Sequence, residues 1–480
     1  MNLFIKKPIG QIIDASTSGE HTLKRTLGPL SLISLGIGAI IGAGLFSLTG
    51  IAAAENAGPA VVLSFIVAAL GCAFAGMCYS ELASMIPVAG SAYTYAYATM
   101  GEIVAWIIGW DLVLEYAVAA SMVAVSWSRY VGSFLNSINV HLPPALTTCP
   151  FETYTLANGS TAHGFLNIPA MLIIIVISLL LMIGIKESAM VNSTIVVIKL
   201  IVVLTFVAVG SHYIKPSNYV PFIPENTGKF GEFGISGIMR AAGIIFFAYI
   251  GFDTVSTTAQ ESKNPQKDVP IGILGSLVIC TILYLVFAFV LTGMVNYKDM
   301  RGDAAPVATA INLTPYPWLQ MVIKLGIIAG FTSVILVMLL GQSRIFFSMA
   351  RDGLLPKMFC DIHPLWRTPW RSNLLFMIFV SLTAGIFPIS TLGNMTSIGT
   401  LLAFIIVCAG VMVLRYTQPL LPRPYRVPVS PLFPFLGILV CLSMMASLDV
   451  ETWWRLIIWL IIGLIIYFTY SRFNSRLSKS

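Results

Sequence analysis

Twelve stretches of seventeen or more predominantly apolar residues dominate this chain. They lie at roughly 31–53, 61–86, 100–130, 168–184, 193–212, 236–258, 270–295, 318–343, 373–389, 393–414, 431–449 and 454–470. Each is long enough to cross a hydrocarbon core as a helix. Helices suit that environment because they satisfy their own backbone polar groups where water is absent. Charged residues make up 10% of the 480 and hydrophobic ones 57%, with a mean hydropathy of +0.88; soluble domains carry about 25% charged residues. The chain is expected to be an all-α polytopic membrane protein with twelve transmembrane helices.

Lys and Arg set the orientation. Eighteen fall on the N-terminal side, between Lys6 and Lys479, against Lys215, Lys229, Lys298 and Arg301 on the other. Both termini are therefore expected in the cytoplasm, with the protein in the plasma (inner) membrane. The net charge of +7 is topology-setting, since no basic run is dense enough to suggest nucleic acid. Seven cysteines are scattered, five within apolar runs (Cys72, Cys78, Cys280, Cys408, Cys441), and none forms a C-x-x-C pair. They read as packing residues, with no metal or cofactor expected. No cleavable signal peptide is visible, and the "NGS" triplet at Asn158 carries little information alone.

Within the first span, "GIGAIIGAGLF" (36–46) places four glycines in eleven residues. Gly weakens a helix interior by roughly 1 kcal/mol relative to Ala. A dinucleotide loop is excluded by the spacing. Two readings stand: a G-x-x-x-G packing pair at Gly38 and Gly42, or an unwound helix whose freed backbone lines a site at mid-membrane depth. "FFAYIGFD" (246–253) interrupts the sixth span about 207 residues later, counted from Gly44 to Gly251, and favours the second reading. Paired interruptions in two halves point to an inverted-repeat transporter. The resulting division is a cytoplasmic segment 1–27, a first repeat 28–212, a second repeat 213–430, and two appended helices with a tail at 431–480.

These two segments, with "ESKNPQKDVP" (261–270) and "GQSRIFFSMARDGLLP" (341–356), together resemble the amino acid–polyamine–organocation superfamily. The chain is most similar to bacterial relatives of the cationic amino acid transporters, over about residues 25 to 430. The resemblance implies a LeuT-type 5+5 fold and amino acid transport by alternating access. It implies that Ala43 and Gly44 offer backbone N–H groups to the substrate carboxylate, with Gly42 permitting the turn. Carbonyls of Ile40, Phe247 and Ile250 would receive the ammonium. Phe247 and Tyr249 are either a gate over the site or packing aromatics. Lys199 matches a span-five lysine of proton-coupled relatives, its ammonium facing the carbonyls of Gly38 and Ile41 and the hydroxyls of Thr332 and Ser333.

Intramembrane charges are functional candidates by default. Glu115 and Asp111 lie four residues apart on one face of span three. Glu115 is either an acid facing a cationic substrate side chain or a helix-packing acid. Glu81, Asp253, Arg240 and Lys324 are expected either nearer the span ends or in structural polar contacts. Arg344, Arg351 and Asp352 either close the cytoplasmic path by ion pairing or sit in a solvated loop. The expected function is proton-coupled import of small neutral and/or cationic L-amino acids. Amino acid/polyamine exchange is the nearer alternative and an ion channel the more distant one. All five histidines lie in tails or loops, which disfavours an intramembrane enzyme. The expected partners are an amino acid, a proton and the lipid bilayer.

Overall fold

The computed structural model describes residues 3–12, 27–88, 91–155, 160–184, 189–303 and 305–477. Asn158 and the topology-setting Lys24, Arg25, Lys186 and Lys479 lie outside them. Among the described residues, eight helices are long and apolar enough to cross a membrane: Gly44–Met85, Glu102–Ser137, Ser193–Tyr213, Gly234–Thr257, Pro265–Met294, Pro317–Arg351, Ile389–Thr417 and Val450–Asn474. Four shorter apolar helices accompany them, Pro29–Ile40, Ile168–Ile183, Trp370–Ile386 and Leu432–Ser447. Every apolar run of the sequence falls on one of these segments. Fewer than twelve reach full length because the first run is split at residue 41 and three others stop at 16 or 17 residues. The all-helical expectation needs one amendment: Thr153–Thr155 pairs antiparallel with Thr161–His163 in the loop after the Glu102–Ser137 helix.

Packing joins helices from the two halves of the chain. The helix Val61–Met85 lies along Pro265–Met294, Ala119–Ser137 along Pro317–Arg351, and Ile168–Ile183 along Trp370–Ile386. Small residues bring these helices close together, as is usual where lipid supplies no hydrophobic drive between helices. At Gly326 and Gly330 the Pro317–Arg351 helix receives Val202 and the stem of Lys199 from the helix Ala189–Gly210; a Cβ at Gly330 would sit 3.1 Å from Lys199 Cε.

Both described chain ends meet at one residue. Asp352 accepts from Lys7 Nζ at 2.7 Å and from Tyr93 Oη at 2.9 Å, and its carbonyl accepts from the Arg476 amide at 3.1 Å. Nearby, Glu102 accepts from Tyr97 Oη, Tyr467 Oη and Ser475 Oγ, and its amide donates to the Ile5 carbonyl. Glu81, 1% exposed, is held by Arg415, with Nε–Oε1 at 3.0 Å, by Arg423 at 3.4 Å and by the Val427 amide at 2.7 Å. Removing a buried charge from such a cluster strands its partners.

The two interrupted helices approach backbone to backbone at Gly44, where a methyl group would overlap the backbone of Ala248. Gly44→Ala is expected to destabilise the protein by about 1–3 kcal/mol, the scale of overpacking, and to lower its melting temperature in detergent. Gly132→Ala, with nothing within 4 Å of its Cβ, should leave the melting temperature unchanged.

Candidate functional site

The two interrupted helices meet at their interruptions. Pro29–Ile40 ends in an ordinary helical turn, with the Ile41 amide donating to the Ile37 carbonyl at 2.9 Å. Ile41 is extended at φ −72°, ψ 106°, and helical geometry resumes at Ala43 before a π-turn over Gly44–Leu48. On the other strand of the crossing, Gly234–Ile245 tightens into a 3₁₀ turn over Phe246–Tyr249. Ile250 is extended and Gly251 has φ +120°, a conformation open to Gly. A Cβ on Gly251 would lie 2.8 Å from the Ala39 backbone. The breaks are narrow: Ile40 still closes its helix, Gly44 lies in the π-turn, and residues 247–249 are 3₁₀-helical.

Freed backbone groups are taken up by side chains from neighbouring helices. Lys199, 1% exposed, donates from Nζ to the Gly38 carbonyl at 2.6 Å. Tyr284 Oη lies 2.9 Å from both the Ile40 and Ala248 carbonyls and can donate to either. Tyr130 Oη donates to the Phe46 carbonyl at 2.6 Å, closing the π-turn. The Phe247 carbonyl accepts from the Ile250 amide at 3.1 Å, and no donor to the Ile250 carbonyl is found among the described residues. Gly42, Ala43 and Gly44 open a new helical segment, where the first N–H groups have no intrahelical acceptor. Such an end favours an anionic group.

The remaining sequence candidates are distributed as follows. Ser333 is buried at 3% exposure on the helix that carries Gly330. Thr332 is turned elsewhere: it accepts from Trp127 Nε1 at 3.1 Å and donates to the Ile328 carbonyl. Tyr249 is also directed away from the break, donating to the Phe65 carbonyl at 3.2 Å and packing edge-on against Tyr284. Phe247 is buried with no ring neighbour among the described residues, which leaves it the freer of the two rings.

Glu115 sits in a five-residue π-turn, Leu114–Val118, inside the Glu102–Ser137 helix. π-turns inside α-helices are frequent at functional sites. Its carboxyl is buried without a hydrogen-bond partner among the described residues, as is that of Asp111. Asp253, at the end of the second break, accepts from Tyr116 Oη at 2.6 Å and Ser91 Oγ at 3.3 Å. Glu115 lies near enough to Asp253 and to Asp111 to be repelled by either when charged. A buried cluster of this kind calls for protons or a cation. Sequence reading placed Asp253 nearer a span end or in a structural polar contact, and its bonds to Tyr116 and Ser91 fit the second, but its grouping with Glu115 was missed; the adjoining Gly-Phe-Asp interruption was the available signal. It also missed Tyr284 and Gly330, although an aromatic hydroxyl and the pair Gly326 and Gly330 within apolar runs were visible.

On the side opposite the chain ends, a cavity of about 380 Å³ reaches down to Leu48 and Ile244. Its polar wall includes Glu55, Asn56, Arg301 and the ion pair of Arg240 with Asp449. It approaches the breaks from that side, and on the other side Asp352 is held by Lys7, Tyr93 and Arg476.

Tyr284→Phe removes the hydroxyl shared by two broken helices. Interhelical hydrogen bonds in membranes average about 0.6 kcal/mol and reach about 1.7, and this substitution is expected at the upper end. Tyr249→Phe, which frees only the Phe65 carbonyl, is expected near the average. Melting temperatures of both variants in the same detergent provide the comparison.

A family model described as amino acid permease matches residues 27–467, more of the chain than the motifs alone covered. The chain is 45% identical to a branched-chain amino acid permease of Bacillus subtilis (strain 168), covering 100% of this chain and 99% of that one. It is 42% identical to a methylthioribose transporter of the same organism over the full length of both. It is 36% identical to a vacuolar cationic amino acid transporter 4 of Arabidopsis thaliana, covering 87% of this chain and 68% of the relative. The crossed, interrupted helices thus belong to a multi-pass membrane transporter, and the chain is a member of the amino acid permease family of the amino acid–polyamine–organocation superfamily.

Proposed function

We propose that this permease is a proton-coupled amino acid symporter working by alternating access, with Lys199 as the coupling group. The observation that carries the reading is the Lys199 ammonium on the Gly38 carbonyl, one turn before the first break. An ammonium there occupies the place a coupling cation would take, and its bond ties the Ala189–Gly210 helix to the broken one. Loss of its proton would release that tie without any metal ion.

The substrate backbone would lie between the breaks. Its carboxylate would meet the N–H groups at Ala43 and Gly44, with Gly42 at the turn. Its ammonium would meet the Ile250 carbonyl, with Ile40 and Phe247 contributing their second lone pairs. Gly38, Ile41 and Ser333 would form the surroundings of the coupling ammonium. The pairing of helices from the two halves, with the broken pair at the centre, supports twelve crossings in a 5+5 inverted repeat with two appended helices. The convergence of both chain ends at Asp352 supports an even number of crossings. Combined with the charge asymmetry, it supports cytoplasmic termini in a plasma membrane.

Neutral aliphatic L-amino acids are the preferred substrates in this reading, supported by the 45% identity to a branched-chain permease. Cationic amino acids are the second reading, supported by the buried Glu115 carboxyl, which has no hydrogen-bond partner among the described residues. Uptake by proteoliposomes, driven separately by pH and sodium gradients, decides the mechanism. Accumulation of leucine or alanine should follow an inward proton gradient and ignore sodium, and Lys199→Ala should abolish accumulation while retaining substrate binding. Uptake that follows sodium, or a Lys199→Ala variant that still concentrates substrate, refutes the coupling role. If Glu115 contacts a cationic side chain, Glu115→Gln should weaken arginine more than alanine by about 1–3 kcal/mol. Equal losses assign Glu115 to coupling or packing.

A further inference from the structure

A second cavity, also of about 380 Å³, lies apart from the breaks, at the end of the molecule opposite the chain ends. It opens between the last turns of the Glu102–Ser137 helix and the first turns of Pro317–Arg351. Its polar lining is Ser133, Asn136, Ser137, Asn312, Gln320 and Lys324. Lys324, only 1% exposed, donates from Nζ to Ser137 Oγ at 2.8 Å and to the Ser133 carbonyl at 3.4 Å. Among the described residues it enters no ion pair.

An ammonium has three donors, and these contacts use two. The carbonyl end of the Glu102–Ser137 helix offers only about half a negative charge, so the lysine is not neutralised. The Pro317–Arg351 helix adds the positive end of its own dipole at the same place. The lining therefore carries net positive charge, several amide and hydroxyl groups, and no acid. Exposed Tyr316 and Trp318 flank Pro317 at the cavity's edge, and exposed Val322 and Leu325 continue down the same helix. Tyr and Trp above an apolar face mark the membrane–water boundary, the depth of lipid headgroups.

We infer that this cavity binds a phosphate-class oxyanion through Lys324, presented either by an anionic phospholipid headgroup or as free phosphate. Its position at the aromatic boundary suits the headgroup, and its volume admits either source. The site is independent of the transported substrate and of the coupling role of Lys199.

The test uses the purified full chain in detergent, with melting temperature and native mass spectrometry as readouts. The probes are short-chain phosphatidylglycerol, inorganic phosphate exchanged against chloride at constant ionic strength, and a diacylglycerol of the same chain length. Stabilisation and a retained adduct with phosphatidylglycerol alone identify a lipid site, and stabilisation by phosphate identifies a free-anion site. In either case Lys324→Gln should weaken binding about tenfold or more, the scale of one lost charge-assisted contact, and Lys324→Arg should preserve it. Asn136→Asp places a carboxylate at the exposed rim without disturbing the lysine, and should weaken binding similarly even if Lys324→Gln does not fold. The inference is overturned if neither phosphate probe acts differently from diacylglycerol and chloride. It is also overturned if the folded charge variants bind as the parent does.

Discussion

A backbone break inside a membrane leaves polar groups where no water can reach them, and each such group must find a partner within the protein. This permease carries two breaks and brings them together. The partners come from outside the broken helices: Lys199 for Gly38, Tyr284 for Ile40 and Ala248, and Tyr130 for Phe46. Each hydroxyl or amine is delivered by a helix packed close enough to reach. Gly330 admits the stem of Lys199, and Gly44 and Gly251 let the broken helices touch. The groups left over, at residues 42–44 and at Ile250, are those the proposed function assigns to a zwitterionic substrate.

That economy explains what could be read from the sequence. Apolar runs and paired glycine interruptions disclosed the helical architecture and the place of the breaks, because both are properties of local composition. Lys199 stood out because a lysine far from either end of an apolar run is rare. The width of each break was not legible: whether Ile40 ends a helix or starts a loop depends on what Tyr284 offers across the gap. The rotation of Tyr249 toward Phe65, and of Thr332 toward Trp127, follows from helix packing between distant segments. A span-three helix was readable as well, but its π-turn at Glu115 was not, since no residue type signals the one extra residue that re-aims a side chain.

Buried acids and the buried amine divide the molecule's electrostatics. Asp111, Glu115 and Asp253 cluster on one side of the crossing, while Lys199 contacts the broken helix from another. Asp111 and Glu115 belong to the Glu102–Ser137 helix and Asp253 ends the second break, so the acids join two separate elements of the fold.

Asp352 holds strands from both ends of the polypeptide, Lys7 from the beginning and Arg476 from the end, alongside Tyr93. The two ends are therefore tied at a single residue, the beginning through its carboxylate and the end through its backbone carbonyl. Any rearrangement that opens this face must loosen head and tail together. A label, fusion partner or crosslink attached near either end would thus load the same contact.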